Sequence, residues 1–220
     1  MAFTEGWEKV HSEKEWGAYP AEEIIRFVAR NLYKYDNRKE IKVLDYGCGG
    51  GSHTWYLARE GFDTYAFDGS PSAIKLVNKR LEQENLKASV EVKDGCNIDY
   101  KDNFFDCVID SFCVYANYMT DIEKMYSGIY RVLKKGGIFI STAFSFKTTG
   151  YGAGIEVEEG TYKDIKVGRF AYPDTVAHFW TEKEIYLLLK KIGFIDIAVD
   201  TITRTDGKNV IDELVVSMKK

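Results

Sequence analysis

Short apolar runs alternate with longer stretches of helical periodicity through the first two thirds of the chain. The apolar runs have the length of strands and cover residues 41–46, 64–68, 88–92, 105–111 and 138–144. Helical spacing is found over residues 52–60, 71–85 and 121–133. Strands that alternate with helices form parallel sheets with helices on both faces. The pattern therefore predicts an α/β fold built on a doubly wound, mainly parallel sheet.

The C-terminal part of the chain departs from this alternation. A helix predicted over 181–192 is followed by two strand-like runs, 194–204 and 210–219. Between them lies Asp206-Gly207, a dipeptide that is typical of β-hairpins when β-rich runs flank it. We therefore expect seven strands in total, with an antiparallel hairpin strand at the C-terminal end.

Two segments fall outside the strand–helix pattern. Residues 1–35 have a helical pattern rich in aromatic side chains, and we interpret them as an N-terminal helical cap. Residues 145–180 are rich in glycine and join the fifth strand to the next helix. A connection this long is uncommon unless it serves as a lid or a binding loop. We expect one domain over 1–220, with 145–180 as a lid or substrate-binding insertion.

Composition and charge narrow the classes of function. The formal net charge is −4 and the basic residues are scattered, whereas nucleic-acid binding usually needs a basic face. No apolar run approaches the roughly 20 residues of a membrane span, and the N-terminus lacks the apolar core of a signal peptide. We therefore expect a cytoplasmic protein with a small-molecule partner and with neither nucleic acid nor a membrane as partner. The oligomeric state stays open.

Metal binding and disulfide chemistry are not expected either. The four cysteines, Cys48, Cys96, Cys107 and Cys113, form no CxxC pair and have no histidine at ligand spacing. Such a pattern favours buried, reduced thiols in a cytoplasmic protein.

A glycine-rich loop, Asp45-Tyr46-Gly47-Cys48-Gly49-Gly50-Gly51, follows the first strand and precedes a helix. Glycine lets the backbone approach a ligand closely, and ligands of open α/β sheets bind beyond the carboxyl ends of the strands. A dinucleotide fingerprint would need glycine or alanine at Ser52. The carboxylate of Asp45 would repel a pyrophosphate and attract an ammonium group. Both details favour S-adenosylmethionine over a nicotinamide dinucleotide.

Asp68 ends the second strand, where a carboxylate can accept hydrogen bonds from both hydroxyls of a ribose. The alternative is a turn or cap residue before the helix that begins at Pro71.

Residues 40–145 resemble the class I S-adenosylmethionine-dependent methyltransferases. The resemblance lies in VLDYGCGGGSHTWYLAREGFDTYAFDGSPSAI, VKDGCNIDY, NFFDCVID and RVLKKGGIFI. Two shorter pieces, WGAYPAEEIIRFVARN and HFWTEKEI, resemble small-molecule methyltransferases of surface-polysaccharide pathways. The resemblance implies S-adenosyl-L-methionine as cofactor and O-methylation of a sugar, phosphate-type or related metabolite. An amine acceptor stays open.

The resemblance also implies roles for individual residues. The cofactor residues are Asp45, Gly47, Cys48, Gly49 and Gly51 under the methionine part, Asp68 and Gly69 at the ribose, Asp94 and Gly95 at the adenine, and Asp110 beside the transferring methyl group. Asp110 is for that reason also a candidate catalytic residue.

The chain departs from this family after the fourth strand, where many small-molecule members carry a histidine. The segment from Ser111 to Asn117 has none, so no base is expected in that loop. His178 follows the glycine-rich segment and is expected at the rim of the cleft, where we predict that it is the base or an acceptor contact. The alternative for His178 is a structural histidine. Trp7, Trp16 and Tyr19 are predicted to cover the sulfonium cation, with packing of the first helix as the alternative.

Two other classes of function stay open at this point. One is a nicotinamide-dependent oxidoreductase, which Ser52 and Asp45 disfavour. The other is a non-catalytic module that binds S-adenosylmethionine.

Overall fold

The computed structural model describes residues 5–13 and 17–220. In chain order its helices and strands are α1 (Glu5–Glu13), α2 (Glu22–Leu32), β1 (Lys42–Tyr46), α3 (Ser52–Arg59), β2 (Asp63–Asp68), α4 (Pro71–Gln83), β3 (Ser89–Val92), β4 (Phe105–Ser111), α5 (Met119–Val132), β5 (Leu133–Phe144), β6 (Thr149–Gly152), β7 (Ile155–Glu158), β8 (Thr161–Lys163), β9 (Val176–His178), α6 (Glu182–Ile192), β10 (Ile195–Asp206) and β11 (Asn209–Lys219).

The main sheet has seven strands in the order β3-β2-β1-β4-β5-β11-β10. Strands β1 to β5 pair in parallel, and β11 pairs antiparallel with both β5 and β10. The turn between β10 and β11 contains Gly207 with a positive φ of 60°. The predicted doubly wound sheet with an antiparallel C-terminal hairpin is therefore confirmed.

Both faces of the sheet are buried because side chains of successive strand residues point to opposite faces. In β1, Leu44 packs into a core cluster with residues of α5 and α6. Its neighbour Val43 packs into a second cluster with residues of α2 and α3. Among the described residues, no helix has both the length and the apolar character needed to cross a membrane.

The N-terminal segment contributes two helices with different neighbours. Helix α2 packs Ile24, Val28 and Leu32 into the second core cluster. Helix α1 lies against the start of α4, where the carboxylate of Glu8 accepts hydrogen bonds from the hydroxyls of Ser70 and Ser72. This contact holds α1 close to the carboxyl end of β2.

The segment 145–180, predicted as a connection, has strands of its own. Strands β7, β8 and β9 form a separate three-stranded antiparallel sheet. The ends of the segment meet at a bridge between Ser145 and Trp180. The segment is therefore an ordered addition at the carboxyl end of β5, and its function as a lid stays a prediction.

Candidate active site

A cavity of about 600 Å³ opens at the carboxyl ends of β1, β2 and β4. This volume lies in the range of roughly 300–1,000 Å³ that is usual for small-molecule sites. Its position is the one at which open α/β sheets bind their ligands. The cavity extends from the glycine loop after β1 to the segment 145–180 and the end of β10.

The glycine loop forms one wall of the cavity, but not all of its residues face the cavity. Residues 47–50 line the cavity together with Ser52. At Gly49, φ is 48°, and a side chain would lie 3.3 Å from the ring of His11. Gly51 does not line the cavity, because it is the position at which α3 meets α4. A Cβ there would lie 2.7 Å from the side chain of Val77, so packing requires glycine at position 51, and its cofactor contact stays a prediction.

Asp68 lines the cavity from the end of β2, together with Gly69. One of its carboxylate oxygens accepts a hydrogen bond from the backbone N–H of Gly49, and the other accepts one from that of Ser70, both at 2.9 Å. The residue therefore joins the glycine loop to the start of α4, as well as facing the cavity.

Asp45 lies behind the glycine loop rather than in the cavity wall. The side chain is 1% exposed, and its carboxylate accepts a hydrogen bond of 2.6 Å from the hydroxyl of Thr54. Burial raises the pKa of Asp45 to about 7, against the opposing effect of the bonds from Thr54. Asp45 therefore does not face the cavity, in which the predicted contact with a methionine ammonium group would be made.

Asp94 and Gly95 follow β3, and only Gly95 lines the cavity. The carboxylate of Asp94 accepts a hydrogen bond of 3.0 Å from the backbone N–H of Cys96 and so caps a short 3₁₀ turn. Lys93, the residue before Asp94, lines the cavity instead of Asp94. We therefore assign Asp94 to the turn rather than to an adenine contact.

Asp110 is fully buried at the end of β4 and does not line the cavity. Its carboxylate accepts hydrogen bonds from the backbone N–H groups of Cys113 and Val114 and from the hydroxyl of Ser141, at 2.6–3.1 Å. Burial raises the pKa of Asp110 to about 6, although these bonds oppose the increase. The predicted catalytic role is replaced by a structural one, in which Asp110 holds the loop after β4.

That loop presents its own side chains to the cavity. Phe112 has a positive φ of 57°, a conformation that is uncommon for a residue other than glycine. Ser111, Phe112 and Cys113 all line the wall. The strained backbone at Phe112 thus lies at the cavity, where the bonds to Asp110 support it.

His178 lies outside the cavity, at the end of β9. Its Nδ1 atom is 2.7 Å from the hydroxyl oxygen of Thr161, and its ring packs edge-on against Trp180. Burial lowers the pKa of His178 to about 4. The structure does not bring this imidazole to the cavity, so we replace its predicted role as a base with a structural one.

Of the three aromatic residues predicted to cover the cofactor, Trp7 and Tyr19 line the cavity. Tyr19 is the more exposed of the two. It is 80% exposed and lies edge-on to Trp55, with ring centroids 6.1 Å apart. Trp16 lies outside the described residues.

Several cavity residues were missed by sequence reasoning. They are His11 of α1, His53 of α3, Lys93 after β3, Tyr115 after β4, Arg169 and Tyr172 of the segment 145–180, and Arg204 of β10. Trp7 and His11 are four residues apart and hence share a helix face, a signal that could have been noticed. Arg169 and Arg204 reach the cavity only through tertiary packing, so the local sequence gave no signal.

The cysteines are free, and all but the half-buried Cys113 are buried. Within residues 5–13 and 17–220, no group of three or more His, Cys, Asp or Glu side chains is placed to hold a metal ion.

Comparisons with known proteins give one family. A family model described as a methyltransferase domain matches residues 37–193. Phosphoethanolamine N-methyltransferase 2 of Caenorhabditis elegans is 26% identical over 173 residues, which are 78% of this chain and 36% of that protein. Norajmaline N-methyltransferase of Rauvolfia serpentina is 28% identical over 129 residues, 57% of this chain and 43% of the relative. This chain therefore spans less than half the length of either curated relative.

Among solved structures, the fold is similar to that of a Haemonchus contortus phosphoethanolamine N-methyltransferase 2 in complex with phosphomonomethylethanolamine and S-adenosylhomocysteine. The TM-score is 0.69 at 19% identity, over 98% of this chain and 57% of the other.

Proposed function

We propose that this chain, which belongs to the methyltransferase domain family, transfers the methyl group of S-adenosylmethionine to a small molecule. The observation that carries the proposal is the arrangement of Asp68 and the glycine loop at the cavity. The oxygen nucleophile of a small metabolite is our first candidate acceptor.

The residues around Asp68 fit the nucleoside part of the cofactor. Each carboxylate oxygen has about two lone-pair sites, and one on each oxygen is taken by the N–H of Gly49 or Ser70. One acceptor site per oxygen is left for the two hydroxyls of a ribose. Phe67 and Met125 line the cavity beside Gly95 and offer an apolar surface suited to an adenine ring.

The aromatic residues of the cavity suit the reacting part of the cofactor. Bound S-adenosylmethionine supplies an already activated methyl group, so the protein mainly has to align the nucleophile and exclude water. Trp7 and Tyr172 lie with ring centroids 6.0 Å apart, joining α1 to the segment 145–180 over the cavity. Phe112 and Phe144, which also line the cavity, stack with ring centroids 4.6 Å apart. Such faces exclude water and attract a sulfonium cation.

A hydroxyl acceptor needs a group that takes its proton, and His11 is our candidate for that group. It lines the cavity and lies beside Gly49. Burial lowers the pKa of His11, while the charges of Asp68 and Glu8 oppose this effect. The imidazole is therefore neutral near pH 7 and able to accept a proton.

An amine acceptor is the second candidate. It is favoured by the names of the two curated relatives given above, both of which are N-methyltransferases. An amine in its neutral form attacks without a base. The effect of replacing His11 on turnover therefore distinguishes a hydroxyl acceptor from an amine acceptor.

Ligand binding and turnover test the proposal separately. S-adenosylhomocysteine at a hundredfold excess over its dissociation constant should stabilise the fold by about 2.7 kcal/mol, measured by thermal unfolding with NAD as the comparison. A screen of small hydroxyl and amine compounds should then show release of S-adenosylhomocysteine. Stabilisation by NAD alone would favour an oxidoreductase. Cofactor binding without turnover of any compound would favour a non-catalytic module.

His11→Gln tests the base. With a hydroxyl acceptor we expect turnover to fall by roughly a hundredfold or more, while the affinity for S-adenosylhomocysteine stays within threefold. His178→Gln is the matched control, because that imidazole is outside the cavity. Equal turnover of wild type and His11→Gln on a hydroxyl compound would rule out His11 as the base.

A further inference from the structure

Two arginines lie at the end of the cavity that is remote from Asp68. Arg169 belongs to the segment 145–180, and Arg204 lies near the end of β10. Strand β10 runs in the same direction as β5, since β11 is antiparallel to both. The C-terminal end of β10 therefore lies at the same edge of the sheet as the carboxyl ends of the parallel strands, which brings Arg204 to the cavity.

Arg204 is held in place by a buried carboxylate. Its Nη2 atom donates to Glu213 at 2.6 Å, and Glu213 is 2% exposed while the side chain of Arg204 is 42% exposed. A guanidinium group has five N–H donors in a rigid fork, so the pair leaves donors of Arg204 available on the side of the cavity. Glu213 thus acts as a positioning residue, because it fixes the direction of the guanidinium group.

Arg169 is exposed and makes no ion pair or side-chain hydrogen bond with any residue that the structure describes. Its charge nevertheless acts on groups around the cavity. Burial raises the pKa of Glu213, and the charge of Glu23 adds to that increase, while the charges of Arg204 and Arg169 oppose it. Burial likewise raises the pKa of Tyr115, again with Arg169 acting in the opposite direction. Arg169 therefore acts electrostatically on both Tyr115 and Glu213.

The charged residues that line this end of the cavity are both basic. Arg169 and Arg204 belong to its wall, whereas Glu213 and Glu23, whose charge acts on Glu213, do not line the cavity. The remaining wall is aromatic, formed by Tyr115, Phe144 and Tyr172. The guanidinium group of Arg169, which has no ion pair with a described residue, is suited to an anion, since charge-assisted hydrogen bonds to carboxylate or phosphate are among the strongest in proteins.

This end is separate from the residues that fit the cofactor. Asp68 lies on β2 and Arg204 on β10, five strand positions apart in the sheet. Neighbouring strands are about 4.8 Å apart, so the two backbones are separated by roughly 24 Å along the sheet. That distance leaves space for a second molecule beyond the nucleoside site.

We propose that the methyl acceptor carries an anionic group, a carboxylate or a phosphate, which Arg169 and Arg204 bind. The proposal rests on the methyl-transfer function proposed above. It narrows the acceptor to molecules with a nucleophile at one end and an anion at the other.

Inorganic phosphate and acetate are the probes, each titrated in thermal unfolding against chloride at equal ionic strength. Both titrations are run with and without S-adenosylhomocysteine. The variants are Arg169→Gln and Arg204→Gln. The control is Arg26→Gln, an exposed arginine of α2 that is paired with Glu22.

We expect phosphate or acetate to stabilise the wild type and Arg26→Gln more than chloride does. Each cavity variant should bind the anion at least tenfold more weakly, with the affinity for S-adenosylhomocysteine within threefold of wild type. Stronger stabilisation by phosphate would indicate a phosphorylated acceptor, and stronger stabilisation by acetate a carboxylic acid.

Equal effects of both anions and chloride would overturn the proposal, as would unchanged anion binding in both variants. A tenfold loss of S-adenosylhomocysteine affinity in either variant would assign the arginines to the cofactor instead. Failure of the wild type to bind S-adenosylhomocysteine would contradict the proposed function. The titrations without that ligand would then still decide whether the two arginines form an anion site.

Discussion

Replacement of Asp68 by alanine removes a carboxylate that both supports the glycine loop and faces the cavity. Two backbone N–H groups, those of Gly49 and Ser70, lose their acceptor. Each unsatisfied donor in a buried place costs about 1–3 kcal/mol of the free energy of unfolding. Even the lower value, about 2 kcal/mol for the pair, corresponds to a decrease in Tm of about 4–8 °C for a domain of this size.

The same change should weaken cofactor binding. If each carboxylate oxygen accepts one ribose hydroxyl, Asp68→Ala removes two charge-assisted hydrogen bonds worth about 1.5–3 kcal/mol each. Loss of one bond raises the dissociation constant about tenfold, and loss of both raises it at least a hundredfold. Isothermal titration with S-adenosylhomocysteine, at a temperature well below the Tm of the variant, measures this effect separately from stability.

Asp63→Ala is the matched control, because Asp63 lies at the other end of the same strand. Its carboxylate forms an ion pair with Lys42 that is partly exposed, and such pairs contribute about 0.2–1 kcal/mol. We expect a small change in Tm and unchanged affinity. If Asp68→Ala lowers Tm but leaves the dissociation constant within threefold of wild type, Asp68 supports the loop only and the ribose assignment is wrong.

Three further predictions follow from the contacts of Glu8, His178 and Asp45. Glu8→Gln weakens the hydrogen bonds of α1 to Ser70 and Ser72, so we expect S-adenosylhomocysteine to dissociate several-fold faster. Stopped-flow fluorescence measures this rate, and an unchanged rate would show that α1 does not retain the ligand. His178→Asn should lower Tm because the imidazole is buried against Trp180. The dissociation constant for S-adenosylhomocysteine should stay within threefold of wild type. A tenfold increase in that constant would show that His178 contributes to the ligand site. Burial raises the pKa of Asp45 to about 7, so between about pH 4 and 7 the folded chain binds more protons than the unfolded chain, and this contribution to stability falls as the pH rises. In urea unfolding, Asp45→Asn should therefore gain stability relative to wild type between pH 5 and pH 7.5, and a difference independent of pH would contradict the raised pKa.

The sheet could be predicted from the sequence because its signals are local. Apolar runs of strand length alternate with helical periodicity, and the Asp206-Gly207 turn marks the antiparallel hairpin. The internal strands of the segment 145–180 were not predicted. They are three or four residues long, and a run this short does not establish a periodicity of two.

The cavity lies at the edge of the sheet where the sequence predicted a site, but only some of the predicted residues line it. Asp68 and Gly95 line the cavity as expected, whereas Asp45, Asp94 and Asp110 do not. All five follow or end a strand, so their place in the sequence puts them near the carboxyl edge of the sheet. It does not determine whether a carboxylate turns towards the cavity or back towards nearby N–H and O–H donors. For Asp110, two backbone N–H groups and the hydroxyl of Ser141 decide that direction.

The two ends of the cavity differ in charge, because buried acids lie near one end and exposed arginines near the other. Asp45, Asp68 and Asp110 lie at the ends of β1, β2 and β4, and no ion pair joins any of them to the described basic residues. Arg169 and Arg204 lie at the opposite end.

Two unit charges about 10 Å apart interact by about 1–2 kcal/mol at an effective dielectric constant of 20, which is close to a tenfold preference. A cation such as S-adenosylmethionine is therefore attracted to the end with Asp68, and an anionic acceptor to the end with the arginines. Charge alone would then sort the two substrates before any specific hydrogen bond forms. The nucleophile of the acceptor would be left facing the sulfonium methyl group between the two ends.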